Sequence, residues 1–214
     1  MNSQSQLSRS NIAASTHGLY YASRLVSQAG QGMFFAFLVV AAGPTTEGAL
    51  GLGSSMVAMT VAAITLGPFG GWIVDRLGAR VALTAGAALR LGAVASGLLV
   101  LGFGEYAWVV AFIYSAASQV FSPAELALVA TLGGKRPAGT HASLFALQFG
   151  GQAVGGLVLG PLLFVLAGTG AMLGGAIVAY VVVTALAGLL ALRLRGVLTA
   201  ESHERTALHF GRAL

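Results

Sequence analysis

Three ionisable residues, Arg24, Arg90 and Glu125, stand inside otherwise apolar stretches of the chain. A charge placed in hydrocarbon without compensation costs on the order of several kcal/mol, so charges at such depth usually have a partner. We therefore expect Glu125 to pair with Arg90 or with Arg24. Such a pair could be a structural ion pair, or it could act as a gate or a proton switch.

Uncharged polar side chains recur in the same stretches at a spacing of three to four residues, which places them on one helical face. Buried polar residues of this kind usually face a bundle interior or a water-filled cavity. They could line a solute cavity, or they could join helices by hydrogen bonds worth about 0.6 kcal/mol each. The candidates for a cavity wall are Gln28, Gln31, Tyr114, Ser115, Ser118, Gln119, Ser122, Gln148 and Gln152.

Other kinds of chemistry find little support in the sequence. The chain has no cysteine, which excludes disulfides and cysteine-based catalysis or metal binding. Ser54 lies in a glycine-rich context, but the four histidines fall in segments predicted near the opposite membrane face, so no serine–histidine dyad is expected. The sequence also has no cluster with metal-ligand spacing. We expect neither an enzyme nor a metal or cofactor site.

The elements that carry these residues are predicted to be membrane-spanning helices. The chain is 57% hydrophobic and 8% charged, whereas soluble domains carry about 25% charged residues. A bilayer core of about 30 Å requires roughly 20 apolar residues per helix. Six stretches meet this length, at 18–42, 50–74, 81–103, 107–131, 142–167 and 170–193. We therefore expect an all-α membrane protein with lipid as its main surroundings.

The charges between these stretches predict the topology. Lysine and arginine occur only in alternate connections, at 75–80, at 132–141 and after residue 192, whereas the connections at 42–49 and 103–106 carry acids and no base. The positive-inside rule then places both termini in the cytoplasm. This use of the bases argues against nucleic acid as a partner. The expected organisation is a cytoplasmic tail at 1–17, a bundle at 18–195, and a polar segment at 196–214 that is a surface helix, a solvated tail or the start of a linker.

The segment from Gly71 to Arg80, GWIVDRLGAR, lies between the second and third predicted spans. It resembles the G-x-x-x-D-R-x-G-R-R/K signature of the major facilitator superfamily, at the same place in the chain. The matching residues are Gly71, Asp75, Arg76, Gly78 and Arg80. Gly78 can form a tight turn, and Asp75 can lie near a helix N-terminus or pair with a base. Ala79 stands where the family usually has a base.

Two further segments resemble the drug- and siderophore-exporter branch of the same superfamily. The segment 121–128, FSPAELAL, resembles the end of span four in that branch, and a small-residue run ending in Gly-Pro follows in span five. That run is Gly151, Gly155, Gly156, Gly160 and Pro161. The segment 24–32 resembles its R-L-x-S-x-x-G-D motif, with Gln31 in place of the acid. Glu125 and Ala130 also depart from the pattern, where arginine and proline are common.

The resemblance implies half of a major-facilitator fold, made of two inverted three-helix repeats. Leu66-Gly67-Pro68 and Leu159-Gly160-Pro161 form a weak internal echo of such repeats. A complete transporter has two six-helix halves with the substrate between them. We therefore expect the N-terminal half of a transporter of the cytoplasmic membrane, which exports a small amphipathic solute together with a second half. The chain could be an N-terminal fragment of a longer transporter, or it could pair with another half or with a second copy of itself. The alternative is a non-transporting membrane subunit or assembly factor that keeps the fold.

Overall fold

The computed structural model describes residues 3–42, 46–102, 106–132 and 137–211, and the side chains of 16–42, 50–101, 106–128 and 142–193. Within these ranges every regular element is helical. The elements are α1 (Ser3–Ala42), α2 (Thr46–Leu77), α3 (Ala79–Ala95), α4 (Leu98–Gly102), α5 (Ala107–Leu132), α6 (Pro137–Ala153), a π-helix (Val154–Leu159), α7 (Gly160–Ala167) and α8 (Thr169–Gly211).

The described residues contain six helical segments long and apolar enough to cross a membrane, as the sequence predicts. These spans one to six are Thr16–Ala42, Leu50–Leu77, Ala79–Leu101, Ala107–Leu128, Ala142–Ala167 and Thr169–Arg193. Their bounds lie within three residues of the predicted ones. Both end segments continue the helices, since α1 begins at Ser3 and α8 ends at Gly211. The protein is therefore a multi-pass, all-helical membrane protein.

Spans one, three, four and six form the centre of the bundle. Span three packs on spans four and six, and span one packs on span six. Their buried side chains make two apolar clusters, one around Phe34, Phe37 and Leu173 and the other around Leu83 and Leu190. Spans two and five flank this centre, span two against span four and span five against span one. Both flanking spans keep most of their side chains exposed.

Glycine permits the closest helix contacts of the bundle. A Cβ atom at Gly70 of span two would overlap the backbone carbonyl of Gln119 on span four. At Gly155 of span five it would overlap the backbone carbonyl of Ala29 on span one. Such small residues allow backbones to approach in a bilayer, where apolar burial gives helices no drive to associate. The two flanking spans are thus held by backbone contact as well as by side chains.

A single glycine forms each of two tight connections. Gly78 joins span two to span three with φ of 80°, and Gly168 joins span five to span six with φ of 79°. In both cases the glycine N–H donates to the carbonyl four residues earlier, Val74 or Phe164, at 2.8 Å. Residues with a side chain rarely adopt this backbone conformation. The predicted tight turn at Gly78 is confirmed.

Replacing Gly78 by alanine is expected to lower the free energy of unfolding by about 1–3 kcal/mol, since the backbone region is one that only glycine occupies readily. Gly71→Ala is the matched control, because Gly71 lies inside α2 with open space around it. SDS titration of the protein in mixed micelles measures both changes. Equal stability of the two variants would contradict the assignment of Gly78 as a strained turn.

Candidate functional site

An ion pair joins spans one and four. The guanidinium of Arg24 donates through Nη1 to the Glu125 carboxylate, and the two side chains are only 15% and 8% exposed. Arg24 Nη2 also donates to Gln148 Oε1 of span five at 2.9 Å. Of the two partners predicted for Glu125, the structure selects Arg24. One charged group therefore links three spans.

A small pocket of about 100 Å³ adjoins this pair. Tyr20 lines it together with Arg24, Glu125 and Gln148. The Tyr20 hydroxyl and the Arg24 Nε are buried, and neither has a hydrogen-bond partner among the described residues. A cavity of this size with polar groups in its wall can hold a few water molecules. The pocket thus offers room for water beside the Arg24–Glu125 pair.

Arg90 lies at the centre of the bundle and is 3% exposed. Its Nη2 donates to the hydroxyls of Tyr114 at 2.5 Å and Tyr180 at 2.7 Å, and more weakly to Gln31 Oε1 at 3.4 Å. Its Nη1 donates to Ser27 Oγ at 3.2 Å. The two tyrosine hydroxyls are themselves 2.5 Å apart. Arg90 therefore binds spans one, four and six to its own span three.

Three aromatic rings enclose the same guanidinium. Its central carbon lies 4.7 Å from the ring centroid of Phe121, 5.0 Å from that of Tyr180 and 5.2 Å from that of Tyr114. Cation–π contacts are strongest when they are desolvated, as these are, and reach about 2 kcal/mol. Among the described side chains Arg90 has no carboxylate partner. The cage stabilises the charge without neutralising it.

Amide groups link spans one and five one helical turn further along. Gln152 Nε2 donates to Gln28 Oε1 at 3.0 Å. Gly32, Gly151 and Gly155 let the two backbones approach here. Within span five the chain forms the π-helix, and Gly160 N–H donates to the Gly155 carbonyl five residues earlier. Pro161 follows, and it has no N–H to continue an α-helix.

An apolar groove of about 470 Å³ lies beside these contacts. Gly32, Phe35 and Val39 of span one and Gly156 and Phe164 of span five are among its lining residues. Gln152 is also one of its lining residues. The volume of this groove lies in the range of sites for small apolar ligands.

The polar side chains of span four lie partly in the interior of the bundle and partly at its surface. Tyr114 and Ser115 are buried, and Ser115 Oγ donates to the Met59 carbonyl of span two at 2.8 Å. Ser118 and Gln119 are half-buried and hydrogen-bond to carbonyls of their own helix, and Ser122 is exposed. In span one Gln28 is buried and Gln31 half-buried. The candidates that reach the surface are therefore Gln31, Ser118, Gln119, Ser122, Gln148 and Gln152.

The predicted signature loop lies apart from these groups. Asp75 and Arg76 are exposed in the last turn of α2, and the Arg76 guanidinium lies 4.5 Å from the Trp72 ring centroid. Arg80 is half-buried in the first turn of α3. Asp75 forms no ion pair with any residue the structure describes.

Sequence reasoning missed Ser27, Phe121 and Tyr180, all of which contact Arg90. Tyr180 is the single tyrosine of an otherwise aliphatic span, which was the signal available. Tyrosine buried in hydrocarbon requires a partner for its hydroxyl. Tyr180 could therefore have been considered as a partner for Arg90.

Comparison with known proteins gives no identification. The chain matches no family model, no curated protein and no solved structure at a significant level.

Reversing either charge of the Arg24–Glu125 pair is expected to lower the free energy of unfolding by at least about 3–5 kcal/mol, because two like charges then lie together in the interior without a counter-ion. Exchanging both, Arg24→Glu with Glu125→Arg, should restore at least half of that loss. The measurement is SDS unfolding in mixed micelles. The control exchange is Arg90→Glu with Glu125→Arg, which should give no rescue. A rescue by this control alone would contradict the observed pairing.

Tyr180→Phe removes one hydroxyl from Arg90 and keeps the ring, so stability should fall by about 1.5–3 kcal/mol, the range for hydrogen bonds to a charge. Tyr21→Phe is the matched control, since the Tyr21 hydroxyl makes no hydrogen bond to a described residue and its ring also contacts a tyrosine. Thermal unfolding followed by circular dichroism compares the two variants. If both lose the same stability, the hydroxyl does not hold Arg90.

Proposed function

We propose that this chain is one half of a membrane transporter of the major facilitator type, with both termini in the cytoplasm. In this proposal it exports a small solute across the cytoplasmic membrane by alternating access together with a second six-helix half.

The observation that carries the proposal is the symmetry of the packing. The symmetry operation exchanges span one with span four, span two with span five, and span three with span six. Under this exchange the contact between spans two and four becomes the contact between spans five and one. Likewise, the contact between spans three and four becomes the contact between spans six and one, and the contact between spans three and six is unchanged. All of these contacts are present in the bundle. The glycine connections Gly78 and Gly168 exchange as well. Two inverted three-helix repeats, as in transporter halves, would produce this pattern.

The surface of spans one, four and five supports the need for a partner. Exposed area there belongs in part to polar side chains, those of Gln31, Ser118, Ser122, Gln148 and Gln152. A bilayer offers such groups no hydrogen bonds. A second half placed over these spans would cover the polar groups and enclose the groove next to them. Rocking of the two halves would then expose that space to each side in turn.

One observation favours the alternative of a non-transporting membrane subunit. Many of the polar side chains already have hydrogen-bond partners inside the chain. Ser118 and Gln119 donate to carbonyls of their own helix, and Gln28 accepts from Gln152. Arg24 is likewise neutralised by Glu125. A bundle tied together in this way could serve as a scaffold.

Native mass spectrometry of the protein in nanodiscs tests the proposal. The expected species is the chain with one further six-helix unit, either a second copy or a different polypeptide. Site-directed crosslinking locates that unit, because the chain has no cysteine of its own. Ser122→Cys should crosslink to the second unit. Val178→Cys, exposed on span six, is the control and should not.

A monomer that stays intact in lipid would contradict the half-transporter. Recovery within a large pigment-binding or respiratory complex would support the scaffold instead.

A further inference from the structure

The charge on Arg90 is unusual because it is caged without being balanced. Its hydrogen-bond partners Ser27, Gln31, Tyr114 and Tyr180 are all neutral. Its Nε is also buried, with no acceptor among the described residues. By contrast, Arg24 has Glu125 beside it. Arg24 and Arg90 both lie in the interior of the described spans. Of the two, Arg90 is the one whose positive charge is not balanced by a carboxylate.

This charge reaches the surface through one side chain. Ser27, Tyr114 and Tyr180 are each at most 1% exposed, whereas Gln31 is half-buried. The amide of Gln31 accepts from Arg90 on its carbonyl side. A group that touches Gln31 from outside therefore lies one residue away from a full positive charge.

The apolar groove lies next to Gln31, which is not itself one of its lining residues. Gly32, which follows Gln31 directly, and Phe35, which lies one helical turn after Gln31, both line the groove. The Phe35 ring lies 5.9 Å from that of Tyr114, edge to face, so the groove and the Arg90 cage share a wall. An apolar body in the groove could therefore place a polar end at Gln31.

We infer that this groove takes an amphipathic anion, with its acidic group at Gln31 facing Arg90 and its apolar body along Gly32 and Phe35. The inference rests on the proposed transport function and names the substrate class for it. Charges about 8 Å apart at an effective dielectric constant of about 20 change an affinity by more than tenfold. The site therefore binds an acid more tightly than a base of the same shape.

The acidic group could belong to a free solute or to an anionic lipid. Arg90 lies eleven residues into α3, about 16 Å along the helix axis. A lipid headgroup at the bilayer surface does not reach that depth readily, so the free solute is favoured. Adding phosphatidylglycerol to vesicles of phosphatidylcholine separates the two sources, since a lipid ligand would displace a bound probe and a solute site would keep it.

The test uses two fluorescent probes with the same ring system, dansylglycine as the anion and dansylcadaverine as the cation. Binding is measured to the protein as purified, with whatever accompanies it, in phosphatidylcholine vesicles against empty vesicles. The wild-type protein should bind the anion about tenfold or more tightly than the cation. Gln31→Glu should abolish that preference, because the new carboxylate would neutralise Arg90 and leave its cage intact.

Arg76→Gln is the matched control, since it lowers the net charge by the same amount at an exposed position outside the groove. It should keep the anion preference. Equal affinities for the two probes, no binding of either, or the same loss in both variants would overturn the inference. None of these results bears on whether a second six-helix unit is present, so the transporter proposal stands or falls separately.

Discussion

The buried guanidinium of Arg90 is the constraint that the centre of the bundle has to satisfy. A bilayer supplies neither water nor counter-ions at that depth, so the protein must surround the charge itself. It does so with the hydroxyls of Tyr114 and Tyr180 and with aromatic faces from two spans. Because these groups come from different helices, the four central spans are fixed around one point, and spans two and five can be attached from outside.

Attachment of the outer spans follows a different physical rule. Lipid is as apolar as leucine, so burying leucine gives no net drive for two helices to join. Gly70 and Gly155 instead bring backbone against backbone, where dispersion contacts are dense. The short glycine connections at Gly78 and Gly168 then fix where each outer span enters the next central one. Charge organises the centre and small residues organise the edges.

Much of this architecture could be predicted from the sequence, because spanning length and a tight-turn glycine are local properties. The six spans and the turn at Gly78 are of this kind. The Arg24–Glu125 pair was one of two alternatives, and only packing distinguishes them. The Arg90 cage could not be predicted, since Tyr180 lies 90 residues away in the chain. When the two repeats are aligned at Gly78 and Gly168, the prolines of the two Gly-Pro pairs differ in position by three residues. Repeat symmetry inferred from these pairs alone would therefore be misaligned.

The two arginines show how neighbouring charges in one bundle can serve different ends. Glu125 cancels Arg24 and ties span one to span four, so that pair contributes little field beyond itself. Arg90 has only dipoles and rings around it, which lower its energy but leave its net charge. Gln31 is an amide and touches Arg90 without cancelling its charge. An acid at this position would cancel the charge of Arg90, whereas the amide leaves a positive field at the adjacent groove, which suits a ligand that brings its own negative charge.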